Sequence, residues 1–219
     1  EGDFHAEHNR IGGGRIVFDL VSPLGNVSDI ELGVPVSINI DNGIAACALA
    51  QIAGATPDEI RQGMRTYAGV DRRFDFKIKT DRCVFLSDYA HHPAEIKQSI
   101  LSLREVFDGR KISAIFQPHL YTRTRDFYQD FADALSLLDE VILLDIYPAR
   151  EQPIAGVTSQ LIFDRLRPDM QRRMAHLQDL PQIAEQEDFD VLVVLGAGDA
   201  DTYCPQIADI LRAKYHIEA

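Results

Sequence analysis

Two loops of this sequence concentrate the side chains that bind phosphates and carboxylates and that move protons. Asp88–Pro93 reads DYAHHP, and Gln117–Arg125 reads QPHLYTRTR. A guanidinium can hold a carboxylate or a phosphate through two parallel hydrogen bonds, and the start of a helix after such a loop also favours an anion. Arg123 and Arg125, with the histidine and tyrosine beside them, therefore predict an anion clamp, although solvated surface charge is the alternative for both arginines.

The neighbouring charged residues each allow a structural and a functional interpretation. Asp88 could open a helix, or it could accept hydrogen bonds from ribose hydroxyls. Arg72 and Arg73 could form a structural salt bridge or contact a phosphate. His91 and His92 are adjacent, and adjacent loop histidines usually point apart, so no metal site is predicted here although Asp88 lies nearby.

The segment Gly196–Asp199 (GAGD) resembles the start of a dinucleotide-binding fingerprint. The third glycine is missing, and the motif follows the last predicted strand instead of opening a first β-α-β unit. A Rossmann NAD site is therefore not predicted. The sequence also contains no GxxxxGK[ST] pattern, so this chain holds no P-loop of its own.

These loops follow short apolar runs, rich in β-branched residues, that are typical of buried strands. Helical patterns alternate with them, which predicts an α/β fold with a mainly parallel sheet. Ligands bind beyond the carboxyl ends of the strands in such a sheet, so the loops are expected to meet along one edge. The predicted strands are Asp75–Lys79, Cys83–Ser87, Lys111–Phe116, Glu140–Asp145, Gln171–His176 and Val191–Leu195. The predicted helices are Pro93–Val106, Arg125–Leu137, Ser159–Arg165, Leu180–Glu187 and Pro205–Tyr215.

The segment before these elements has a different pattern, and a domain boundary is predicted near Gly69–Arg72. Residues 1–10 are polar and give no prediction. Thr56–Glu59 (TPDE) has the pattern of a capping box and predicts a helix that runs to about Tyr67. The other predicted elements are strands at Arg15–Leu20, Val27–Leu32 and Val34–Ile40 and a helix at Asn42–Ala53.

Composition restricts the class of protein. The chain has 219 residues, 46% of them hydrophobic and 26% charged, as in an ordinary soluble globular protein. Its net charge of −12 disfavours binding to nucleic acids and to membrane surfaces. The three cysteines have no CxxC spacing, which indicates reduced thiols in a cytosolic protein. Neither a signal peptide nor a membrane span is predicted. A first residue other than Met suggests an excised fragment, with a processed or tag-cleaved chain as the alternative.

Four segments stand in a specific order and spacing: Gly69–Phe74 (GVDRRF), Asp88–Pro93, Gln117–Arg125 and Asp145–Ile154 (DIYPAREQPI). Together they resemble the Mur ligase family, and the resemblance covers essentially the whole chain. It implies a Rossmann-like C-terminal domain at residues 70–219, with a mainly parallel sheet and helices on both faces. Residues 1–69 would be the C-terminal part of the family's central ATP-binding domain. The UDP-binding domain, the P-loop and the magnesium ligands would lie upstream.

Within that family, the motifs most resemble those of the enzyme that joins L-alanine to UDP-N-acetylmuramic acid in peptidoglycan precursor synthesis. The implied reaction uses ATP and Mg²⁺: the muramyl carboxylate takes the γ-phosphoryl group, and the amine of alanine displaces phosphate from the acyl phosphate. Such catalysis is mainly positioning and charge stabilisation. The implied partners are these small molecules only, with no nucleic acid and no membrane, and the implied location is the cytoplasm. The chain alone is expected to be inactive, because the P-loop lies outside it, and no oligomeric state is predicted.

The resemblance also implies roles for individual residues. Asn39 and Asn42 would line the adenine pocket, Arg73 would contact the ATP phosphates, and Asp88 would hold the ribose or adenine side. Substrate contacts are implied for Tyr89, His91, His119, Arg123 and Arg125. Catalytic roles are implied for Arg73, His91, His119 and Arg123. No metal ligand is implied within this chain.

Two positions depart from the family pattern. Leu120 stands where many members have Arg, and Ile38 stands where a His usually precedes the first Asn. Because Leu120 has no charge, one carboxylate contact would be missing, or Arg125 or Arg150 would supply it.

Two alternative functions remain open. The first is the murein-peptide recycling ligase of the same family, which shares the DYAHHP motif. The second is a non-catalytic α/β signalling module of the phosphoryl-receiver type. That fold needs clustered acids after the first strand and a lysine after the last strand, where this chain has Gly196–Gly198.

Overall fold

The computed structural model of the chain describes residues 2–218. They group into two compact units: residues up to 70 together with 102–108, and residues 71–101 together with those from 109 onwards. The outer limits of the two predicted domains, residues 1 and 219, lie outside the described residues. Within 2–218, no helix is long and apolar enough to cross a membrane.

The first unit contains an antiparallel sheet of three strands: β1 (His5–Gly12), β2 (Arg15–Val21) and β3 (Val27–Glu31). β1 corrects the expectation that residues 1–10 carry no structural signal. Its side chains are mainly polar and partly or fully exposed, so no apolar alternation marks it in the sequence. The strand forms by antiparallel pairing with β2, and Gly13 and Gly14 make the tight turn between them with positive φ angles of 58° and 76°.

The strand predicted at Val34–Ile40 is wrong: the chain turns there, and α1 (Ile38–Ile52) begins within it. Pro35 has no N–H to donate to a strand ladder, and the N–H of Asn39 donates to the carbonyl of Val36, a helix-like turn. The buried positions of α1 then follow helical spacing of three and four residues, at Ile40, Gly43 and Cys47.

The second helix, α2 (Pro57–Thr66), begins at its predicted capping box. The Thr56 hydroxyl accepts from Glu59 N–H over 3.3 Å, and the Glu59 carboxylate accepts from Thr56 N–H over 2.8 Å. Two backbone donors at the helix start are thus paired by side chains only three residues apart.

The second unit is built on a six-stranded sheet in which only one edge strand is antiparallel to its neighbour within the described residues. Its strands are β4 (Asp75–Lys79), β5 (Val84–Asp88), β6 (Ile112–Phe116), β7 (Glu140–Leu143), β8 (Gln171–Met174) and β9 (Val191–Leu195). The spatial order is β4-β5-β9-β6-β7-β8, with β4 as the antiparallel edge. Every residue of β5, β6, β7 and β9 is buried, as expected for parallel strands that are covered on both faces.

Helices pack on both faces of this sheet. They are α3 (Pro93–Val106), α4 (Tyr121–Leu135), α5 (Gln160–Phe163), α6 (Leu180–Gln186) and α7 (Cys204–Tyr215). On one face, Phe85 and Leu192 share an apolar cluster with residues of α6 and α7. On the other, the ring of Phe116 lies 5.4 Å from that of Phe131 in α4. The α/β fold class is therefore confirmed, although α4 begins at Tyr121, four residues before the predicted start.

Candidate active-site edge

The carboxyl ends of β5, β9, β6 and β7 lie side by side, because these strands are neighbours in the sheet. Backbone hydrogen bonds continue this pairing into the loops. Gly196 N–H donates to the carbonyl of Asp88 over 3.2 Å, and Gln117 N–H donates to that of Leu195 over 3.2 Å. The loops predicted to carry chemistry therefore meet along one edge of the sheet.

Asp88 joins three segments at this edge. Its side chain accepts hydrogen bonds from the Ser99 hydroxyl and from the backbone N–H groups of Phe74, Tyr89 and Ala90. Burial raises the pKa of Asp88, and these hydrogen bonds oppose that rise. The residue is only 7% exposed, so contact with a ribose hydroxyl would use a small remaining part of its surface.

His91 and His92 point apart, as expected. Nδ1 of His91 lies 2.9 Å from the carbonyl oxygen of Tyr89, so this nitrogen carries the proton, and Nε2 carries a lone pair when the ring is neutral. The ring of His92 instead packs against Phe127 of α4, with 5.1 Å between centroids. Glu95 accepts the backbone N–H groups of both histidines and so closes the start of α3.

His119 lies beside His91, with 6.2 Å between the ring centroids. Its ring stacks on Tyr147 at a centroid distance of 5.6 Å and an interplanar angle of 25°. Burial lowers the pKa of His119, the charges of Arg123 and His91 lower it further, and Glu151 opposes them. His119 is therefore neutral at neutral pH, and its buried Nδ1 has no hydrogen-bond partner among the described residues.

The two arginines at the start of α4 separate. Nη1 of Arg123 lies 3.4 Å from the carbonyl oxygen of His91, which brings its guanidinium to the histidine loop. Arg125 is exposed and pairs with its neighbour Asp126, with 2.7 Å between Nε and Oδ1. The structure thus gathers Arg123 with His91 and His119, and it does not bring Arg125 to them.

Gln117 accounts for both glycines of the GAGD segment. Its buried side-chain amide donates to Asp199 over 2.7 Å and accepts from Ala200 N–H over 2.9 Å. A Cβ at Gly196 would lie 2.7 Å from the Gln117 carbonyl oxygen, and one at Gly198 would lie 2.1 Å from its Oε1. These glycines permit close packing against Gln117, a structural role that needs no dinucleotide.

Arg72 and Arg73 have different environments. Nη2 of Arg72 donates to the carbonyls of Gly196 and Gly198 over 3.2 and 3.3 Å, and its guanidinium covers the ring of Tyr89 at 4.7 Å. Arg72 therefore holds two loops together. Arg73 is exposed, and its guanidinium forms no hydrogen bond or ion pair with any residue of the described chain. It is the arginine of the pair that is open to an anionic ligand.

Asn39 and Asn42 lie in the first unit, at the start of α1. Asn42 Nδ2 donates to Asn39 Oδ1 over 3.1 Å, and Asn39 Nδ2 donates to the carbonyl of Val34 over 3.1 Å. The two amides are therefore linked to each other, and Asn42 remains exposed.

The donor set of the described residues does not fit a resident metal ion. Across 2–218, no group of three or more His, Cys, Asp or Glu side chains is arranged to hold one. The carboxylates beside the histidines already accept backbone N–H groups, as shown for Asp88 and Glu95.

Sequence reasoning gave no role to Gln117, Tyr147 or Glu151, although all three lie in its motifs. Their partners are remote in sequence: Gln117 binds a loop 83 residues away, and Glu151 binds Thr122, 29 residues away. One local signal was available for Glu151. Leu120 precedes α4 and offers no side-chain cap, so an acceptor from another segment is needed.

Comparison with known sequences places the chain in a family. Residues 72–198 match the family model described as Mur ligase, glutamate ligase domain. A UDP-N-acetylmuramate–L-alanine ligase of Phocaeicola vulgatus is 65% identical over 98% of this chain and 47% of its own length. One of Parabacteroides distasonis is 52% identical over 95% of this chain and 45% of its own length. The chain thus spans about half the length of these relatives.

Solved structures show the same fold. UDP-N-acetylmuramate-alanine ligase MurC of Thermotoga maritima superposes with a TM-score of 0.73 at 24% identity, over 99% of this chain and 46% of that one. Folylpolyglutamate synthase of the same organism gives a TM-score of 0.72 at 17% identity, over 93% of this chain and 47% of that one. The family resemblance of the four motifs is confirmed, and a phosphoryl-receiver module is not favoured. The matched family model, together with the relatives that extend over nearly the whole chain, shows that this chain belongs to the Mur ligase family.

Proposed function

We propose that this chain is the C-terminal portion of an ATP-dependent UDP-N-acetylmuramate–L-alanine ligase of peptidoglycan precursor synthesis. The observation that carries the proposal is the 65% identity, over 98% of the chain, to a relative with that name. Residues 1–69 are proposed as the end of the central ATP-binding domain, and residues 70–219 as the C-terminal domain. The proposed location is the cytoplasm.

The proposed reaction forms an amide bond in two steps. The muramyl carboxylate attacks the γ-phosphorus of ATP and gives an acyl phosphate and ADP. The amine of L-alanine then attacks the acyl carbon, and the tetrahedral intermediate expels phosphate. Both steps concentrate negative charge on phosphoryl and carboxyl oxygens, so positively charged and hydrogen-bonding groups that are already in place lower the barrier.

The group formed by His91, His119 and Arg123 is proposed to contact the amino acid and the acyl phosphate. The guanidinium of Arg123 would pair with a carboxylate or with the phosphate that leaves. The amine of alanine enters as an ammonium ion and must lose a proton before it attacks. The lone pair of a neutral His119 or of Nε2 of His91 could accept that proton. Tyr89 is half-exposed beside these rings and is proposed as a substrate contact. Arg125 remains a proposed contact only if it leaves Asp126.

Nucleotide contacts are proposed for Arg73, Asp88, Asn39 and Asn42. The free guanidinium of Arg73 suits an ATP phosphate, and Asp88 orders the loop that would receive the ribose. Mg²⁺ accompanies ATP in this family, and its ligands are proposed to lie mainly in the upstream part of the protein. No nucleic-acid or membrane partner is proposed, since the net charge of −12 repels both kinds of polyanionic surface.

The test is phosphate release by the full-length protein. It receives ATP, Mg²⁺ and UDP-N-acetylmuramic acid, and then either L-alanine or a murein tripeptide, with the 219-residue chain as a parallel sample. Release that depends on L-alanine is expected, with no turnover by the 219-residue chain alone. Release only with the tripeptide would instead assign the protein to the recycling ligase. Release with neither would refute the proposed reaction.

A further inference from the structure

The start of α4 lacks a cap from its own sequence. Leu120 occupies the position before the helix, at φ 74° and ψ 135°, and its side chain cannot accept a hydrogen bond. The first N–H groups of a helix need acceptors, and the helix dipole favours a negative charge there. A residue outside the helix therefore has to provide the hydrogen-bond acceptors and the negative charge.

Glu151, in the loop after β7, provides them. Its carboxylate accepts the N–H of Thr122 over 2.9 Å and also accepts the Thr122 hydroxyl. The hydroxyl and backbone donors of Thr122, together with the N–H of Tyr121, lower the pKa of Glu151. The carboxylate is therefore ionised at neutral pH and directed at the helix start, so it is not itself free to bind substrate.

A second contact joins the same two loops. Tyr147 N–H donates to the carbonyl of Pro118 over 2.8 Å, and Leu120 N–H donates to the carbonyl of Tyr147 over 2.9 Å. The bonds flank His119, whose ring stacks on that of Tyr147. The backbone on both sides of His119 is thus fixed by the 147–151 loop.

We propose that Glu151 is a positioning residue that sets where His119 and Arg123 stand. This inference rests on the proposed function. His119 lies just before the helix start, and Arg123 lies in its first turn, so both depend on how that start is held. Glu151 acts through Thr122 and the α4 N-terminus. A shift of about 1 Å in such a group can change a rate by about 100-fold, so holding the helix start is a functional requirement.

The experiment uses three variants of the full-length protein: Glu151→Ala, Glu151→Gln and Ser159→Ala. The Ser159 hydroxyl donates to the carbonyl of Leu144 over 2.6 Å, so its loss destabilises the same unit without touching the start of α4. For Glu151→Ala we expect KM for L-alanine to rise by at least about 10-fold while KM for ATP changes less than about 2-fold. Glu151→Gln keeps one acceptor oxygen and should recover a large part of the loss.

A merely structural role predicts a different result. In that case Glu151→Ala and Ser159→Ala would lower kcat in parallel and leave both KM values unchanged, which overturns the inference. A Thr122→Ala, Glu151→Ala cycle adds a check, because residues that act through one contact give strongly non-additive effects. Additive effects on KM would also overturn it.

Measurements on the wild-type protein distinguish a failure of the proposed function from a failure of the positioning role of Glu151. If L-alanine does not drive its phosphate release, the KM comparison is made with the acceptor that does. If none does, NMR of the His119 imidazole in the full-length protein gives the result. Its signals should move in Glu151→Ala and stay in place in Ser159→Ala, and unmoved signals in both would refute the positioning role.

Discussion

At the scale of single residues, the site combines the guanidinium of Arg123 with two imidazoles, and a hydrogen bond defines the tautomer of one of them, His91. The carbonyl of Tyr89 accepts from His91 and leaves Nε2 as a base, and burial keeps His119 neutral. Arg123 interacts with both histidines: its charge lowers the pKa of His119, and its guanidinium contacts the backbone carbonyl of His91. A ligand that brings a negative charge would offset Arg123 and make proton uptake by His119 easier.

Two histidines of the second unit should make stability depend on pH in opposite directions. The pKa of His119 is lowered by burial, so the unfolded chain binds a proton more readily, and the stability falls as pH drops through the ordinary value of 6.5. The pKa of His176 is raised by its hydrogen bond to Asp145. Its contribution is fully present below 6.5 and is lost as pH rises through the raised pKa.

Urea unfolding between pH 5 and pH 8 measures both effects. We expect His119→Gln to flatten the loss of stability on acidification and His176→Gln to steepen it. Each variant serves as the control for the other, because both remove one imidazole from the same unit. Slopes that change in the same direction would contradict the assigned environments.

Arg123 and Arg125 offer a matched comparison on one helix. The guanidinium of Arg123 reaches the His91 loop, whereas Arg125 is exposed and paired with Asp126. We expect Arg123→Ala to raise KM for the amino acid at least about 10-fold, the size of one charge-assisted hydrogen bond, and Arg125→Ala to change it less than about 2-fold. Steady-state kinetics of the full-length protein decides. Equal effects would mean that Arg125 leaves Asp126 and joins the clamp.

At the scale of elements, the sequence predicted what local chemistry determines. β9 is a continuous apolar run and β5 and β6 are mainly apolar, and α2 begins at a capping box contained in four consecutive residues, so both kinds of signal could be recognised. β1 could not be predicted, because its polar side chains gain a strand conformation only by pairing with β2. β-branched residues at Val34–Ile40 suggested a strand, but Pro35 and the turn after it favoured a helix start.

The site was predictable to a similar extent. That the histidine and arginine loops meet follows from parallel strands, whose carboxyl ends share one edge. Which of the two arginines points toward the histidines does not follow from the sequence. Side chains two positions apart on a helix point about 200° away from each other, and the predicted start of α4 was wrong by four residues. The partners of Gln117 and Glu151 lie in other loops, so only the folded chain reveals them.

The β9 loop gives an element-scale prediction. Gly196 has φ 130°, and a Cβ there would lie 2.7 Å from the carbonyl oxygen of Gln117. Gly156 is the control, because its φ is 77° but a Cβ would meet nothing within 4 Å. Chemical unfolding should show a loss of about 1 kcal/mol for Gly156→Ala, from backbone strain alone, and of about 3 kcal/mol for Gly196→Ala, from strain plus overlap. Equal losses would show that the loop moves away from Gln117.

At the scale of the whole molecule, α1 exposes large apolar side chains of a kind that are normally buried in a folded protein. Ile38, Leu49 and Ile52 are each more than 60% exposed, and their spacing puts them on one side of the helix. A group of exposed apolar side chains on one side of a helix often marks a surface that another part of the protein covers. The chain spans about half the length of its relatives, so we expect the rest of the full-length protein to cover this side of α1.

The double substitution Leu49→Gln, Ile52→Gln should therefore have opposite consequences in the two forms of the protein. In the 219-residue chain it removes exposed apolar area, so it should reduce self-association in sedimentation and the binding of an apolar dye. In the full-length protein it places two amides in a buried contact and should lower the free energy of unfolding by about 2–5 kcal/mol. Leu24→Gln, at a leucine that is 57% exposed and lies in the turn between β2 and β3, is the control and should change neither property much. The expectation is contradicted if the unsubstituted 219-residue chain is monomeric and does not bind the dye, or if the full-length protein tolerates both amides.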